Sequence, residues 1–391
     1  MTKITLVTGA DLGNKKNLKT AEANAIINSF KKNKINYNIL CRAYSGTNNK
    51  KIRQIAPLGN IIPKIFTLLD EITFKKFNFR KINNQFLDFF ASKKINKTDA
   101  IIFLPYSFEK TCEIAKQKKI KTINIGTSAS NTYVSKLKNQ ELKHTHKIKK
   151  NKNVLSNLSS GEKSLKKCDH IITYSKYCKR TYEYIGIKKS KIIVLDMGTK
   201  LNKFKPLKTK LTQKNIKNKK FRVVCVANYT ILKGLKYLIE AWINLKLENA
   251  ELILIGKLDK EVQNQLKKYK LPKNIKFLGF VDPLAHYQNS TIFVLPTLTE
   301  GFAKVVLEAM SCGLPVITTT NSGADSAIKQ GKEGFIIPIR DSKKIEETIQ
   351  YFYNNPKKTK EMNKLARKTA MKYSWDRYSN SLAKTINKLM K

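Results

Sequence analysis

Short apolar runs alternate with helix-patterned segments along almost all of this 391-residue chain, and the composition changes between Leu201 and Lys220. Ile4-Thr5-Leu6-Val7 reads as a buried strand, followed by a glycine-bearing turn and a helix from about Ala21 to Lys32. Further strands are expected at Tyr37 to Cys41, Ala100 to Leu104, Lys121 to Ile125, His170 to Thr173 and Lys191 to Leu195. The second strand group is Arg222 to Val226, Glu251 to Gly256, Ile275 to Leu278, Ile292 to Leu295, Val316 to Thr318 and Phe335 to Ile337. Helical patterns lie between them, among them Leu235 to Leu245 and Glu261 to Lys268. Continuous apolar strands spaced by helices predict parallel sheets covered on both faces.

That stretch is "LNKFKPLKTKLTQKNIKNKK", Leu201 to Lys220, which has a proline, many lysines and no core-sized apolar run. It reads as an interdomain linker. The chain is too long for one ordinary core, so two domains are expected. The division is residues 1–200, linker 201–220, a second domain 221–372 and a closing segment 373–391. Two doubly wound domains in series place a cleft between the carboxyl ends of their sheets, where ligands bind in such folds.

Charge is the next constraint. Lys and Arg total 77 against 28 Asp and Glu, a net charge of +49. The excess is nearly all lysine and is spread from end to end, whereas nucleic-acid modules concentrate arginine and aromatics on one face. Specific nucleic-acid binding is therefore not expected. Dispersed lysines still feel an anionic lipid surface, which makes peripheral membrane contact a partner to test. The six cysteines are scattered without a C-x-x-C, which fits reduced core thiols in a cytoplasmic protein. The apolar run at the N-terminus is too short for a signal peptide, and no segment has the length of a membrane span.

Against this background "TLTEGFAKVVLEAMSCGLPVITT", Thr297 to Thr319, is unusual for its two carboxylates and single lysine. A strand ends at Pro296, a loop follows, and a helix from about Ala303 stops at Gly313 with Pro315 beyond. Glu300 falls in the loop and Glu308 about two turns into the helix. A helix N-terminus offers unpaired N–H groups and a partial positive charge to a phosphate. Gly301 lets backbone approach a ligand closely, and carboxylates accept hydrogen bonds from vicinal hydroxyls. One segment is thereby equipped to hold both a phosphate and a sugar. A lone E-x₇-E spacing is common by chance; here it sits inside the ordered series strand, Pro, E-G-F, helix, E-A-M, Cys-Gly-Leu-Pro, strand.

That series resembles the E-x₇-E segment of the GT-B glycosyltransferases, in particular the retaining family 4. "CDHIITYSKYCKR" (Cys168 to Arg180), "VLDMGTKLNKFKP" (Val194 to Pro206) and "VCVANYTILKGLKYLIEAW" (Val224 to Trp242) resemble its other landmarks in the same order. "LILIGK", "FLGFVD" and "YSWDRYSNSLAKTINKL" add two strand ends and a terminal helix that crosses back to the first domain. The resemblance implies an α/β GT-B architecture of two Rossmann-like doubly wound domains facing across a cleft. It implies transfer of a sugar from a nucleotide-sugar donor to a hydroxyl acceptor, with retention. Lys233 matches the lysine that contacts the diphosphate, Glu308 the ribose-binding glutamate, and Glu300 the glutamate beside the donor sugar and reacting centre. Gly301, Phe302 and Ala303 match the backbone that cradles sugar and phosphate, and Phe280 and Val281 fall where the family contacts the base. The catalytic pair on this reading is Glu300 and Lys233.

Departures are equally specific. Asn228 stands where the family usually has arginine, removing one charge partner of the diphosphate; Lys304 or Lys257 is a candidate replacement. Ala303 replaces a glycine. The first domain matches poorly: Gly9 and Gly13 in "GADLG" are weak, and "IGTSAS" (Ile125 to Ser130) lacks the histidine many members carry there. No D-x-D occurs, so the diphosphate site is expected to work without a metal or other cofactor. His144 and His146 alternate without a third ligand, and His170 is expected to pack beside its strand. Two other readings stay open, a nucleotide-sugar epimerase on the same fold and a non-catalytic binder with a decayed donor site. The acceptor, a glycan, lipid-linked or polysaccharide precursor, would be met by the first domain, and the location would be cytoplasmic or at the inner membrane face.

Overall fold

The computed structural model describes residues 2–12, 18–44, 50–55, 79–104, 108–145, 159–207 and 220–391. Within them two sheets account for all named strands. The first joins β1 (Lys3–Leu12), β2 (Asn36–Tyr44), β3 (Ile52–Gln54), β4 (Ala100–Phe103), β5 (Lys121–Gly126), β6 (His170–Thr173) and β7 (Ile192–Val194) in the order β3-β2-β1-β4-β5-β6-β7. The second joins β8 (Phe221–Val226), β9 (Ala250–Ile255), β10 (Ile275–Phe277), β11 (Ile292–Leu295), β12 (Val316–Thr319) and β13 (Gly334–Ile337) in the order β10-β9-β8-β11-β12-β13. Strands pair in parallel throughout, with Leu6 opposite Ile102 in one sheet and Val223 opposite Ile292 in the other. Each sheet reverses its winding beside its first strand, β1/β4 and β8/β11, which is where a doubly wound sheet opens a crevice.

Burial explains why the strands read as apolar runs. Ala100 to Phe103, Ala250 to Ile255 and Ile292 to Leu295 are buried at every position, because helices cover both faces. Several elements escape the sequence patterns. The short strand β3 and the helices Phe79–Lys94, Asn131–Thr145, Ser160–Lys167, Lys176–Tyr184, Ser342–Asn354 and Pro356–Ala370 were not among those expected. Their apolar positions are sparse, as in NTYVSKLKNQELKHT, so a helical period is hard to see. Two expectations need correction. Gly9 lies inside β1, which runs on to Leu12, so it is not in a turn after the strand. Glu308 lies one turn, not two, inside its helix, which begins at Lys304. Gly13, His146 and residues 208–219 of the linker fall outside the described residues.

The two domains are held together at several places. The helix Trp375–Met390 follows the second sheet yet packs on the first domain's helix Leu18–Lys32. Ser29 Oγ donates to Ser379 O at 2.6 Å, and Tyr378 meets Tyr174 edge-on with ring centroids 5.8 Å apart. The start of the linker is structured too: Phe204 is buried against Tyr287, and its carbonyl accepts from Arg367 at 3.0 Å. A further tie comes from Glu141 on the helix Asn131–Thr145. Its carboxylate is buried in the second domain, where it accepts from Tyr237 OH at 2.9 Å and Arg340 Nε at 2.8 Å.

Candidate active site

The site forms where the loops after β8 and β11 meet at the reversal of the second sheet. After β8 the chain passes Asn228, which is exposed, and buried Tyr229, whose hydroxyl donates to Cys225 O at 2.7 Å. A single 3₁₀ turn, Ile231–Lys233, then delivers Lys233 to the cleft before the helix Leu235–Leu245 begins. Gly234 between them has φ +67°, and a Cβ there would overlap the Pro296 carbonyl. Only glycine lets the two loops approach so closely. The approach is sealed by Leu298 N and Thr297 Oγ1, which donate to Leu232 O at 2.8 and 3.1 Å.

This packing brings Lys233 to Glu300, and Lys233 Nζ is ion-paired with Glu300 Oε1. Both side chains are mostly shielded from water, so the pair is screened less than a surface pair. The Glu300 backbone is held by Asn321 O, which accepts from Glu300 N at 2.9 Å, while Ala303 N donates to Ser322 O at 3.0 Å. The helix Lys304–Ser311 follows. Ala303 at its N-cap supplies no side-chain acceptor; Val306 N donates to Ala303 O at 2.9 Å, and the N–H groups of Lys304 and Val305 have no side-chain cap. Phe302 and Ala303 are buried beneath it.

Glu308 sits one turn further along. Among the described residues its carboxylate has no hydrogen-bond or ion-pair partner, although the side chain is largely shielded from solvent. Burial pushes its carboxyl up to about 7, moderated by Lys304, Lys203 and Lys200, while Asp282 pushes the same way as burial. Lys203 is itself engaged, donating to Asp282 Oδ2 at 2.8 Å. That contact ties the linker to the loop carrying Phe280 and Val281. Phe280 is 89% exposed, an unusual state for a large apolar side chain, and Val281 is also exposed.

The structure therefore places Glu300, Gly301, Phe302, Ala303, Lys304 and Glu308 along one loop and helix, and brings Lys233 to Glu300 from the turn after β8. Asn228 lies in the Lys233 turn, and Phe280 and Val281 lie on the adjacent exposed loop. His170 is the first residue of β6; its Nδ1 is buried without a hydrogen-bond partner among the described residues, and burial lowers its basicity. Among the described residues no three His, Cys, Asp or Glu side chains are grouped as metal ligands would be. All six cysteines are buried and unbridged.

Sequence reasoning missed a first-domain contribution. Gly301 presses against the loop after β5, where a Cβ would overlap the Thr127 carbonyl. The Gly301 carbonyl accepts from Ser175 Oγ at 2.6 Å and from Cys178 Sγ at 3.1 Å. Burial pushes the Cys178 thiol up to about 11, so it keeps the proton it donates. Tyr177 OH lies 2.8 Å from Thr299 Oγ1. The only sequence hint was the serine in "CDHIITYSKYCKR", which caps the helix Lys176–Tyr184 by accepting from Cys178 N.

Comparison with known proteins agrees with this geometry. Residues 208–369 match the family model described as glycosyl transferases group 1. The chain is similar to the capsular polysaccharide biosynthesis glycosyltransferase CapM of Staphylococcus aureus, 33% identical over 180 residues, covering 43% of this chain and 47% of CapM. It is also similar to the N,N'-diacetylbacillosaminyl-diphospho-undecaprenol alpha-1,3-N-acetylgalactosaminyltransferase of Campylobacter jejuni, 28% identical over 215 residues, 53% of this chain and 57% of that protein. The chain thus spans about half the length of the curated relatives it matches. Anabaena HepE, solved in complex with UDP and glucose, superposes with a TM-score of 0.62 at 16% identity, covering 99% of this chain and 100% of HepE. Two facing Rossmann-like sheets with a cleft between them define the GT-B fold of glycosyltransferases. Within that fold, residues 208–369 are the part similar to glycosyl transferases group 1.

Proposed function

We propose that this chain is a glycosyltransferase that moves a sugar from a nucleotide-sugar donor to a hydroxyl acceptor. The observation that carries the reading is Glu308, a shielded carboxylate without a side-chain partner among the described residues, one helix turn from an uncapped N-terminus and on the segment that follows the ion-paired Glu300. Burying such a group costs free energy unless a ligand supplies the missing hydrogen bonds. Vicinal ribose hydroxyls would supply them. The helix N-terminus and Lys233 would then take the diphosphate, whose charge grows as the sugar departs. Glu300 would hold the donor sugar, and Phe280 and Val281 would cover the base.

We also propose retention of anomeric configuration and membership of family 4, which the resemblance of the motif order supports. Activity without a divalent ion is supported by the absence of D-x-D and by a diphosphate site made of a lysine and backbone. The C. jejuni relative is named for a lipid-linked acceptor and CapM for capsular polysaccharide, so a lipid-linked or polysaccharide precursor is the acceptor class we favour. Such an acceptor would bring the protein to the cytoplasmic face of a membrane, where its net charge of +49 favours anionic lipid. No helix among the described residues is long and apolar enough to cross a membrane.

Asn228 in place of arginine is the observation that favours a second reading, a donor site that binds without turning over. A thermal-shift panel of UDP-, GDP-, ADP- and dTDP-sugars tests binding. Saturation at a hundredfold over Kd stabilises by about 2.7 kcal/mol. Release of the nucleotide diphosphate from the sugar that binds separates an enzyme from a binder.

A further inference from the structure

Glu300 belongs to the second domain, where its N–H donates to Asn321 O, yet the Thr299 side chain before it and the Gly301 carbonyl after it also meet the first. Thr299 Oγ1 is 2.8 Å from Tyr177 OH, and Gly301 O accepts from Ser175 Oγ at 2.6 Å. Both first-domain groups are buried at the head of the helix Lys176–Tyr184. The same helix sets the opposing loop. Tyr182 OH donates to Ser128 O at 2.6 Å and Thr181 Oγ1 accepts from Ser130 N at 3.0 Å, which fixes the Thr127 carbonyl against Gly301. By contrast, Lys233 is anchored within the second domain through Leu232 O, and Glu308 stands on a helix of that domain. The relation between the Glu300 side chain and Lys233 therefore depends in part on how the first domain is seated, whereas Glu308 stands on a helix of the second.

We propose that Tyr177, acting through Thr299, is a positioning residue for Glu300, so that the acceptor-side domain sets the geometry of the donor-side carboxylate. This rests on the reading of Glu300 as the donor-sugar residue. It predicts a specific split. Loosening the Tyr177–Thr299 contact slows turnover while leaving nucleotide binding, which falls to Glu308, in place.

Tyr177→Phe is the informative variant because it removes only the hydroxyl. The ring keeps its edge contact with Tyr133, at 6.3 Å between centroids, and stays beneath Arg180. Two readouts are needed. The first is amide hydrogen exchange over residues 297–303 without nucleotide. Loss of one neutral hydrogen bond should speed local opening by roughly fivefold, with β11 and the helix 304–311 unchanged. Thr299→Val should reproduce this, Thr299→Ser should not, and the double variant Tyr177→Phe/Thr299→Val should be no faster than either single. The second readout is release of UDP from UDP-glucose, or of nucleotide from whichever sugar nucleotide the panel selects. The rate constant at saturation should fall about five- to tenfold, with the Kd for UDP within about twofold of wild type. Unchanged exchange at 297–303, or faster exchange with unchanged turnover, overturns the proposal. So does a loss of turnover matched by an equal loss of UDP affinity. A wild type that turns over none of the panel overturns the donor reading and the catalytic half of this proposal, while exchange still decides whether the first domain holds the loop.

Discussion

Lys233 Nζ and Glu300 Oε1 form an ion pair between two loops that are 67 residues apart in sequence. A diphosphate that engages Lys233 must compete with that carboxylate. Glu300→Gln keeps the shape and removes the competitor. It should leave UDP affinity the same or tighter, and it should slow transfer by about 10²-fold, as loss of one group acting at the reacting centre does. Calorimetry with UDP alongside donor kinetics checks both. Weaker UDP binding in Glu300→Gln would place the diphosphate elsewhere.

Lys233 is the one cation in its turn that matches the family pattern, since Asn228 occupies the usual arginine position. Lys233→Ala should therefore cost roughly 10²–10³ in kcat without buffering by a neighbour in the turn. Lys233→Arg should recover part of the loss, because a planar fork does not reproduce a compact ammonium. Asn228→Arg should tighten nucleotide diphosphate binding or leave it unchanged. Steady-state rates for the three variants decide this, and unaltered turnover in Lys233→Ala would return it to the many surface lysines.

Glu308 gives a pH signature. Its folded-state pKa of about 7 lies above the ordinary 4.5, chiefly because of burial. A raised carboxylate pKa contributes stability that is complete below the unfolded value and is lost as pH rises through the folded one. Ionised Glu308 therefore weakens the fold above pH 7, by at most on the order of 3 kcal/mol. Glu308→Gln should unfold at a higher temperature than wild type at pH 8, and the gap should close towards pH 5. A gap that is constant with pH would mean that Glu308 is not held in a shielded place.

The fold was readable because strands covered on both faces leave unbroken apolar runs, such as Ile292 to Leu295, and because Gly313 and Pro315 punctuate the helix after Glu300. The candidate site of the second domain was legible as a cluster because Glu300 to Glu308 follow one another along a loop and a helix, to which Lys233 comes from a separate turn. What the sequence did not disclose are contacts made only by folding. Tyr177 and Ser175 look like ordinary residues at the head of a polar helix, and nothing local marks Thr299 and Gly301 as their targets. Glu141 lies in a helix whose pattern suggests a solvated surface, yet its carboxylate is buried in the other domain. Such residue types are chosen by a partner distant in sequence, so no periodicity records them.

That burial yields a stability prediction. Glu141→Ala leaves Arg340 and Tyr237 without their acceptor between the domains. Removing one member of a buried ion pair costs about 3–5 kcal/mol. The urea midpoint should fall accordingly, and Glu141→Gln, which still accepts hydrogen bonds, should lose less. Equal midpoints for wild type and Glu141→Ala would show that the interdomain contact is not maintained in solution.

The central claim is that a nucleotide diphosphate binds with its ribose on Glu308, and titration calorimetry of wild type and Glu308→Ala with UDP, GDP, ADP and dTDP tests it most directly. One of these nucleotides should bind wild type saturably. Its affinity should drop about 10- to 100-fold in Glu308→Ala, the loss expected for hydrogen bonds to a charged group. No binding by any of the four, or equal binding by wild type and variant, would contradict the account.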